Sequence, residues 1–274
     1  MTLILILRPN FHNHLTPLGY LYVATVLKKN GFPVKVLDLN MDQYTDEEVY
    51  QEIQKYKVKQ VIIGTSYKFH NNCPSSTIRG AFAYASKVKA IDKTIKTTLI
   101  GPLNSVLEDK LLDNPYVDFV VHGEPEECTL ELTEKINEAD NDFENIKGLG
   151  FRNGKDIISA VSREYPNLKK MPFPDRSFVN MENYFFNTYY SRRVTCIITT
   201  RGCPNRCSYC FAAIDSKRNA LNKGRYYRTH DPDKVVEEIV YLVDKYKIHG
   251  FRIEDIEFCV HKAYVQELCN KIIE

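Results

Sequence analysis

Thr199-Thr200-Arg201-Gly202-Cys203-Pro204-Asn205-Arg206-Cys207-Ser208-Tyr209-Cys210 sets three thiols on one short loop, in the spacing C-x3-C-x2-C. The run before it, Val194 to Thr199, is apolar and β-branched, so the loop leaves the carboxyl end of a strand. Three thiolates so spaced can hold three irons of a four-iron, four-sulfur cluster and leave the fourth iron open to a small ligand. Electron-transfer clusters usually take four cysteines, and structural zinc closes its shell with four ligands. A three-thiolate site with an open corner is a catalytic arrangement. The spacing has two other readings: zinc with a fourth ligand, for which Cys196 is nearest, and a disulfide-bonded loop.

Downstream of the loop the chain repeats a simple order. Asp231 can cap a helix with Pro232 at its first position, and Val235, Val236, Ile239, Val240, Val243 and Tyr246 share one helical face. Phe251-Arg252-Ile253 reads as the next strand, and Tyr264, Val265, Leu268, Cys269 and Ile272 mark another helix. Strand, loop, helix, strand, helix make two βα units, the start of a partial (β/α) barrel. Chemistry in such barrels sits at the carboxyl ends of the strands, and here Glu254-Asp255 holds that position. Asp255 can equally cap the following helix. Lys217, Arg218, Lys223, Arg225 and Arg228 form a basic stretch that reads as a solvated face.

Upstream, short apolar strands alternate with helical segments. Leu3–Leu7, Val34–Leu37, Val61–Ile63, Thr98–Ile100 and Phe119–Val121 have the composition of strands buried on both faces. Thr16 can cap a helix that starts at Pro17 and closes at Lys28-Lys29-Asn30-Gly31. Ile78, Ala81, Phe82, Ala85 and Val88 form an apolar helical stripe. The pattern predicts an α/β fold whose N-terminal half is a doubly wound, Rossmann-like parallel sheet. Ligands of such sheets lie outside the carboxyl ends of the strands. The loops there carry Gly64-Thr65-Ser66, Gly101-Pro102 and Gly123-Glu124-Pro125-Glu126, either ordinary turns or a cofactor site.

Between the halves, Asn153-Gly154 signals a hairpin with positive φ at both residues, spanning 148–159. The prolines of Pro166 and Met171-Pro172-Phe173-Pro174-Asp175 then favour an extended connector. The aromatic group Tyr184-Phe185-Phe186 and Tyr189-Tyr190 reads as packing against the barrel. The domains fall at 1–147, 148–192 for hairpin and connector, and 193–274.

The chain has 274 residues, enough for two cores, with 43% apolar and 26% charged residues. A net charge of +2 gives no argument for nucleic acid or a membrane surface. Leu3 to Leu7 is too short for a signal peptide or a span, which points to the cytoplasm and to eight cysteines kept reduced. Cys128 and Cys269 lie on apolar helix faces and read as core thiols, and Cys73 lies in a polar loop.

The cysteine run resembles the signature of radical S-adenosylmethionine enzymes, down to Arg201-Gly202 before the first cysteine and Tyr209 before the third. That resemblance implies that Cys203, Cys207 and Cys210 hold a 4Fe-4S cluster whose open iron binds S-adenosylmethionine. One electron then cleaves the sulfonium to methionine and a 5′-deoxyadenosyl radical. It also implies that Tyr209, Glu254 and, second to it, Asp255 contact S-adenosylmethionine, and that a flavodoxin or ferredoxin supplies the electron. Pro17-Leu18-Gly19-Tyr20, Val36-Leu37-Asp38, Ser66, Gly101-Pro102 and Asp118 to Glu126 look like the cobalamin-binding domain that precedes many such cores. Carried over, Leu18, Gly19, Ser66, Gly101, Gly123 and Glu124 would line cobalamin. Two departures are Ile100-Gly101 in place of a glycine pair, and Pro125 in place of a glycine. The D-x-H-x-x-G motif is absent, and His12 and His14 do not fit its spacing, so cobalt would lack a protein ligand from below. The family's barrel has about six βα units against eight in the full barrel. With two, this sequence is expected to be an N-terminal piece that is inactive alone. The implied activity is methyl transfer to an unreactive carbon. The alternatives are a radical enzyme with an empty first domain, performing a cyclisation, rearrangement or sulfur insertion, or a non-catalytic cofactor-binding fragment. No catalytic residue is assigned, and the substrate is not legible.

Overall fold

The computed structural model describes residues 1–6, 15–39, 41, 44–66, 77–205, 207–210 and 227–274. Leu7, Arg8, His12, His14, Cys73, Arg206, Lys217, Arg218, Lys223 and Arg225 lie outside the described residues.

Five strands, β1 (Thr2–Ile6), β2 (Val34–Asp38), β3 (Gln60–Gly64), β4 (Lys96–Ile100) and β5 (Phe119–Val121), pair in parallel in the order β2-β1-β3-β4-β5. This is the doubly wound topology read from the strand composition, and its order reverses between β1 and β3. Helices α1 (Leu18–Lys29), α2 (Asp46–Lys55), α3 (Ile78–Ile91), α4 (Asn104–Leu112) and α5 (Glu126–Glu138) make the crossovers. Val61, Ile63 and Leu99 join one buried cluster with α2 and α3, while Ile62, Ile100 and Phe119 join the other with α1 and α5.

The hairpin grouped with the connector on sequence instead extends this sheet. β6 (Leu149–Asn153) pairs antiparallel with β5, and β7 (Asp156–Ile158) with β6. It covers the edge that β5 would otherwise expose. Its turn is also shifted by one residue. Asn153 pairs with Asp156, so Gly154-Lys155 forms the loop, and only Gly154 takes positive φ, at 62°. That is the pattern of a turn with glycine first, not of Asn-Gly.

α1 is buried almost all round, from Leu18 to Thr25 and at Leu27. One side packs on the sheet, and the other is covered by the connector and by residues of the second half such as Cys196 and Ile198. Thr16 does not cap it. Pro17 occupies the cap position with no side-chain bond, and Thr16 Oγ1 instead meets Thr195 Oγ1 at 3.1 Å. Asp175 accepts from Lys28 at 2.8 Å, and its amide donates to Thr25 Oγ1 at 2.7 Å. The aromatic group divides: Tyr184 donates to Asp38 Oδ2 of the first sheet at 2.7 Å, Phe185 packs toward Tyr246, and Tyr189 and Tyr190 are exposed.

In the second half, β8 (Val194–Ile197) pairs in parallel with β11 (Gly250–Ile253). The strands β9 (Thr200–Arg201) and β10 (Arg228–Thr229) form a short antiparallel ribbon. Helices α6 (Pro232–Tyr246) and α7 (Lys262–Ile273) complete two βα units. Asp231 caps α6 through the Asp233 amide, with Pro232 at the first position. The buried stripe of α6 runs through Val235, Glu238 and Leu242, so Val240 and Val243, placed on that face from sequence, are exposed. Cys128 is buried as read, but Cys269 is exposed, because Tyr264 and Leu268 carry the inner face of α7. Cys196 and Ile198 belong to the same apolar cluster as α1 and α5, so one core crosses the boundary between the halves.

Candidate functional site

At the carboxyl edge of the first sheet, two segments reach the second half and a third reaches the connector. The segment after β1 reaches β8 through Thr16, β2 reaches Tyr184 through Asp38, and the turn after β5 reaches Arg201 and Arg228 through Glu124. The ligand edge of the doubly wound sheet therefore lies against the root of the cysteine loop.

That root is held tightly. Asp255, just beyond β11, accepts the Thr199 amide at 2.7 Å, the Thr199 hydroxyl at 2.6 Å and the Thr200 hydroxyl at 2.8 Å. The Thr199 carbonyl in turn accepts from the His230 amide at 2.8 Å and the Tyr264 hydroxyl at 2.9 Å. Burial pushes the Asp255 carboxyl above its usual range, while the threonine bonds pull it down. Asp255 caps no helix, since His261 occupies the N-cap of α7 and accepts from Tyr264. Its carboxylate is spent on the strand that enters the loop. Glu254 sits mostly buried beside it, its amide donating to the Ile197 carbonyl at 2.8 Å and its carboxylate paired with Arg252.

Gly202 turns the chain out of β9 with φ at 89°. Cys203 and Cys210 are half-buried, Cys207 is exposed, and all three are free thiols. The Cys210 amide donates to the Cys207 carbonyl at 3.1 Å. Tyr209 is 89% exposed, with its hydroxyl beside Cys207. Among the described residues no three His, Cys, Asp or Glu side chains converge on one point. The donor set on the loop is three soft sulfurs with no carboxylate or imidazole among them, the chemistry of iron–sulfur ligation.

The residues expected to line cobalamin fall into four places. Leu18 and Gly19 are buried at the start of α1. Ser66 is buried, and its carbonyl accepts the Tyr20 hydroxyl. Gly101 follows β4, where a Cβ would overlap Thr65 Oγ1. Thr65 Oγ1 lies 2.9 Å from Asn104 Oδ1, and Asn104 Nδ2 donates to the Leu99 and Val121 carbonyls at 2.9 and 3.1 Å. Gly64 and Gly101 thus answer to internal packing, since a Cβ at Gly64 would overlap Tyr20. Gly123, with φ at 64°, has no atom of the described residues within 4 Å of its Cβ position. Among the described residues the backbone here borders open space. Strand ends with Gly, Thr, Ser and Asn, and an open glycine turn, suit a bulky ligand held by backbone contacts. Glu124 does not face that opening alone, because two arginines grip its carboxylate.

The grip belongs to a network that sequence reasoning missed. Arg201 Nη1 donates to Glu124 Oε2 at 2.9 Å, and Nη2 lies 2.8 Å from Glu126 Oε1. The guanidinium also stacks over Tyr22, 4.6 Å from the ring centre. Burial opposes the Arg201 charge, but Glu126 and Glu124 hold its pKa above the ordinary arginine value. Burial pushes Glu126 upward against the pull of Arg201. The available signal was two glutamates after β5 and an arginine on each side of the cysteine loop.

His230 also packs on Tyr22, with ring centres 5.9 Å apart, and its Nε2 has no hydrogen-bond partner among the described residues. Burial first, and the Arg201 charge next, push its pKa from 6.5 down to about 3. The unfolded chain then binds a proton below pH 6.5 that the folded chain refuses, so stability is present above that pH and lost as pH falls toward 3. The expected slope is about 1.4 kcal/mol per pH unit. Urea unfolding of the native protein and of His230→Asn checks this: the stability of the native protein relative to the variant should fall by that slope as pH drops below about 6, and parallel curves would refute it.

Residues 4–133 match the B12 binding domain family and residues 197–274 the radical SAM superfamily. The chain is 26% identical over 283 residues to the anaerobic magnesium-protoporphyrin IX monomethyl ester cyclase of Cereibacter sphaeroides, covering 98% of this chain and 43% of that protein. It is 26% identical to the cytidylyl-2-hydroxyethylphosphonate methyltransferase of Streptomyces wedmorensis, covering 92% and 53%. The chain spans about half the length of the curated relatives it matches. Among solved structures, it resembles the radical S-adenosylmethionine methyltransferase TsrM of Kitasatospora setae with cobalamin and a [4Fe-4S] cluster bound, with a TM-score of 0.73 at 20% identity, covering 99% of this chain and 52% of that one. It also resembles the cobalamin-dependent radical enzyme OxsB with aqua-cobalamin and S-adenosylmethionine bound, with a TM-score of 0.76 at 15% identity, covering 100% and 37%. No helix of the described residues is long and apolar enough to cross a membrane.

Proposed function

Because this chain joins a B12-binding domain to a radical S-adenosylmethionine domain, we propose that it carries both cofactors of a cobalamin-dependent radical enzyme that methylates an unreactive carbon. The observation that supports this most is the placement of the first sheet's ligand edge against the root of the cysteine loop, through Thr16–Thr195 and Glu124–Arg201. When bound, the cluster with S-adenosylmethionine would supply one-electron cleavage of a sulfonium, and cobalamin a transferable methyl group. Cys203, Cys207 and Cys210 would hold the cluster. Asp255 would fix the loop root through Thr199 and Thr200, while Glu254 and Tyr209 would contact a ligand of the open iron, as the family resemblance implies. The turn at Gly123 and the strand end at Gly101 would receive the corrin by backbone contact, with no histidine from the D-x-H-x-x-G motif beneath it. Free thiols suit a reducing, cytoplasmic setting with a flavodoxin or ferredoxin as electron donor.

A second reading is ring closure at carbon with the same cofactors. It draws support from the cyclase relatives, which match as well as the methyltransferase does. Anaerobic reconstitution with iron, sulfide and hydroxocobalamin tests the common core. The expected content is about four irons and about one cobalamin per chain. Two irons or none would sink it, and iron without cobalamin would leave a radical enzyme with an empty first domain. Uptake of labelled methyl from S-adenosylmethionine by the cobalamin-loaded protein separates methylation from cyclisation.

A further inference from the structure

Arg201 and Arg228 stand opposite each other on the β9–β10 ribbon. One precedes the three cysteines, and the other comes after 211–226. Both reach a single carboxylate. Arg201 Nη1 meets Glu124 Oε2 at 2.9 Å, Arg228 Nη1 meets the same oxygen at 3.2 Å, and Arg228 Nη2 takes Oε1. Glu124 lies 77 residues from Arg201 and 104 from Arg228 in sequence, in the turn that carries Gly123. The side chains of Arg201, Glu124 and Arg228 are 1%, 12% and 16% exposed, so water and salt screen these charge-assisted bonds weakly. Two paired residues per strand cannot hold a ribbon closed alone. The shared carboxylate closes it and ties it to the first sheet.

We propose that Glu124 is a positioning residue that couples the two cofactor-bearing loops, so that filling the cysteine loop also orders the turn after β5. The inference rests on the reading of Cys203, Cys207 and Cys210 as cluster ligands. It gives Glu124 a role different from direct contact with cobalamin. Coupling between two such sites is reciprocal, so order imposed on the turn also favours the filled loop. Glutamine at 124 keeps the shape and one acceptor but removes the charge that both arginines share.

Hydrogen exchange on the full chain tests this, before and after anaerobic reconstitution with iron and sulfide alone. In the native protein, iron loading should slow amide exchange at 121–126 by about fivefold or more. In Glu124→Gln the iron content should remain, the slowing should vanish, and the resonance line shape of the reduced cluster should change. Arg228→Lys retains the charge but cannot span both oxygens, and it should give a partial loss; it serves also if Glu124→Gln fails to fold. Equal slowing in native protein and both variants would overturn the coupling, as would iron uptake with no slowing in the native protein. If the native protein takes up no iron, the reading of the cysteines fails first and the coupling falls with it.

Discussion

Alanine at Cys207 should leave the reconstituted protein without a stable cluster, and alanine at Cys203 or Cys210 should do the same. The three sulfurs are the whole protein donor set of the loop, so losing one leaves two of the four irons without protein sulfur. Iron per chain should drop from about four to background, and the visible absorbance with it. Cys259 and Cys269 are also exposed free thiols. Alanine at either should leave iron content unchanged, which separates ligation from general thiol chemistry. A Cys207→Ala protein that kept the full iron complement would remove the basis of the proposed function.

Glu238→Ala should be the most damaging substitution outside that loop. Arg176 is fully buried in the connector, donating to Glu238 of α6 and, at 3.0 Å, to the Cys196 carbonyl of β8. Burial pushes the Glu238 carboxyl upward, and Arg176 pulls it back. Removing the carboxylate strands a guanidinium in an apolar core, at a cost of about 3–5 kcal/mol. Whole domains are stable by about 5–15 kcal/mol, so this is a large share. The double change Arg176→Met with Glu238→Leu removes both charges and should recover most of the loss. Urea unfolding compares the three proteins. A loss below about 1 kcal/mol for Glu238→Ala would show that the guanidinium finds water or another partner.

The elements of the sheet were legible because strands buried on both faces must be continuously apolar, as Val61–Ile63 and Phe119–Val121 are. Asp231-Pro232 marked the start of α6 for an equally local reason, since cap and fixed φ act within one turn. Contacts between distant residues were not legible. Thr16 has the chemistry of a cap, but Thr195, 179 residues away, took its hydroxyl. Val240 and Val243 fit a helical stripe, yet Glu238 replaced them on the buried face because Arg176 supplies its counter-charge. Glu124 was carried over from the family resemblance as a cobalamin contact, and its pairing with Arg201 and Arg228 could not be read from spacing. The three cysteines could be read together as a candidate site because their sulfurs are neighbours in sequence.

The burial of α1 has a consequence for synthesis. Its outer side is covered by residues such as Asp175, which lies 150 residues beyond Thr25. At about 5–20 residues per second, a ribosome needs roughly 8–30 seconds to deliver that cover. For that interval the nascent helix presents Tyr20, Leu21, Tyr22 and Val23 with only part of their eventual surroundings, and it is the segment where a chaperone would be expected to bind.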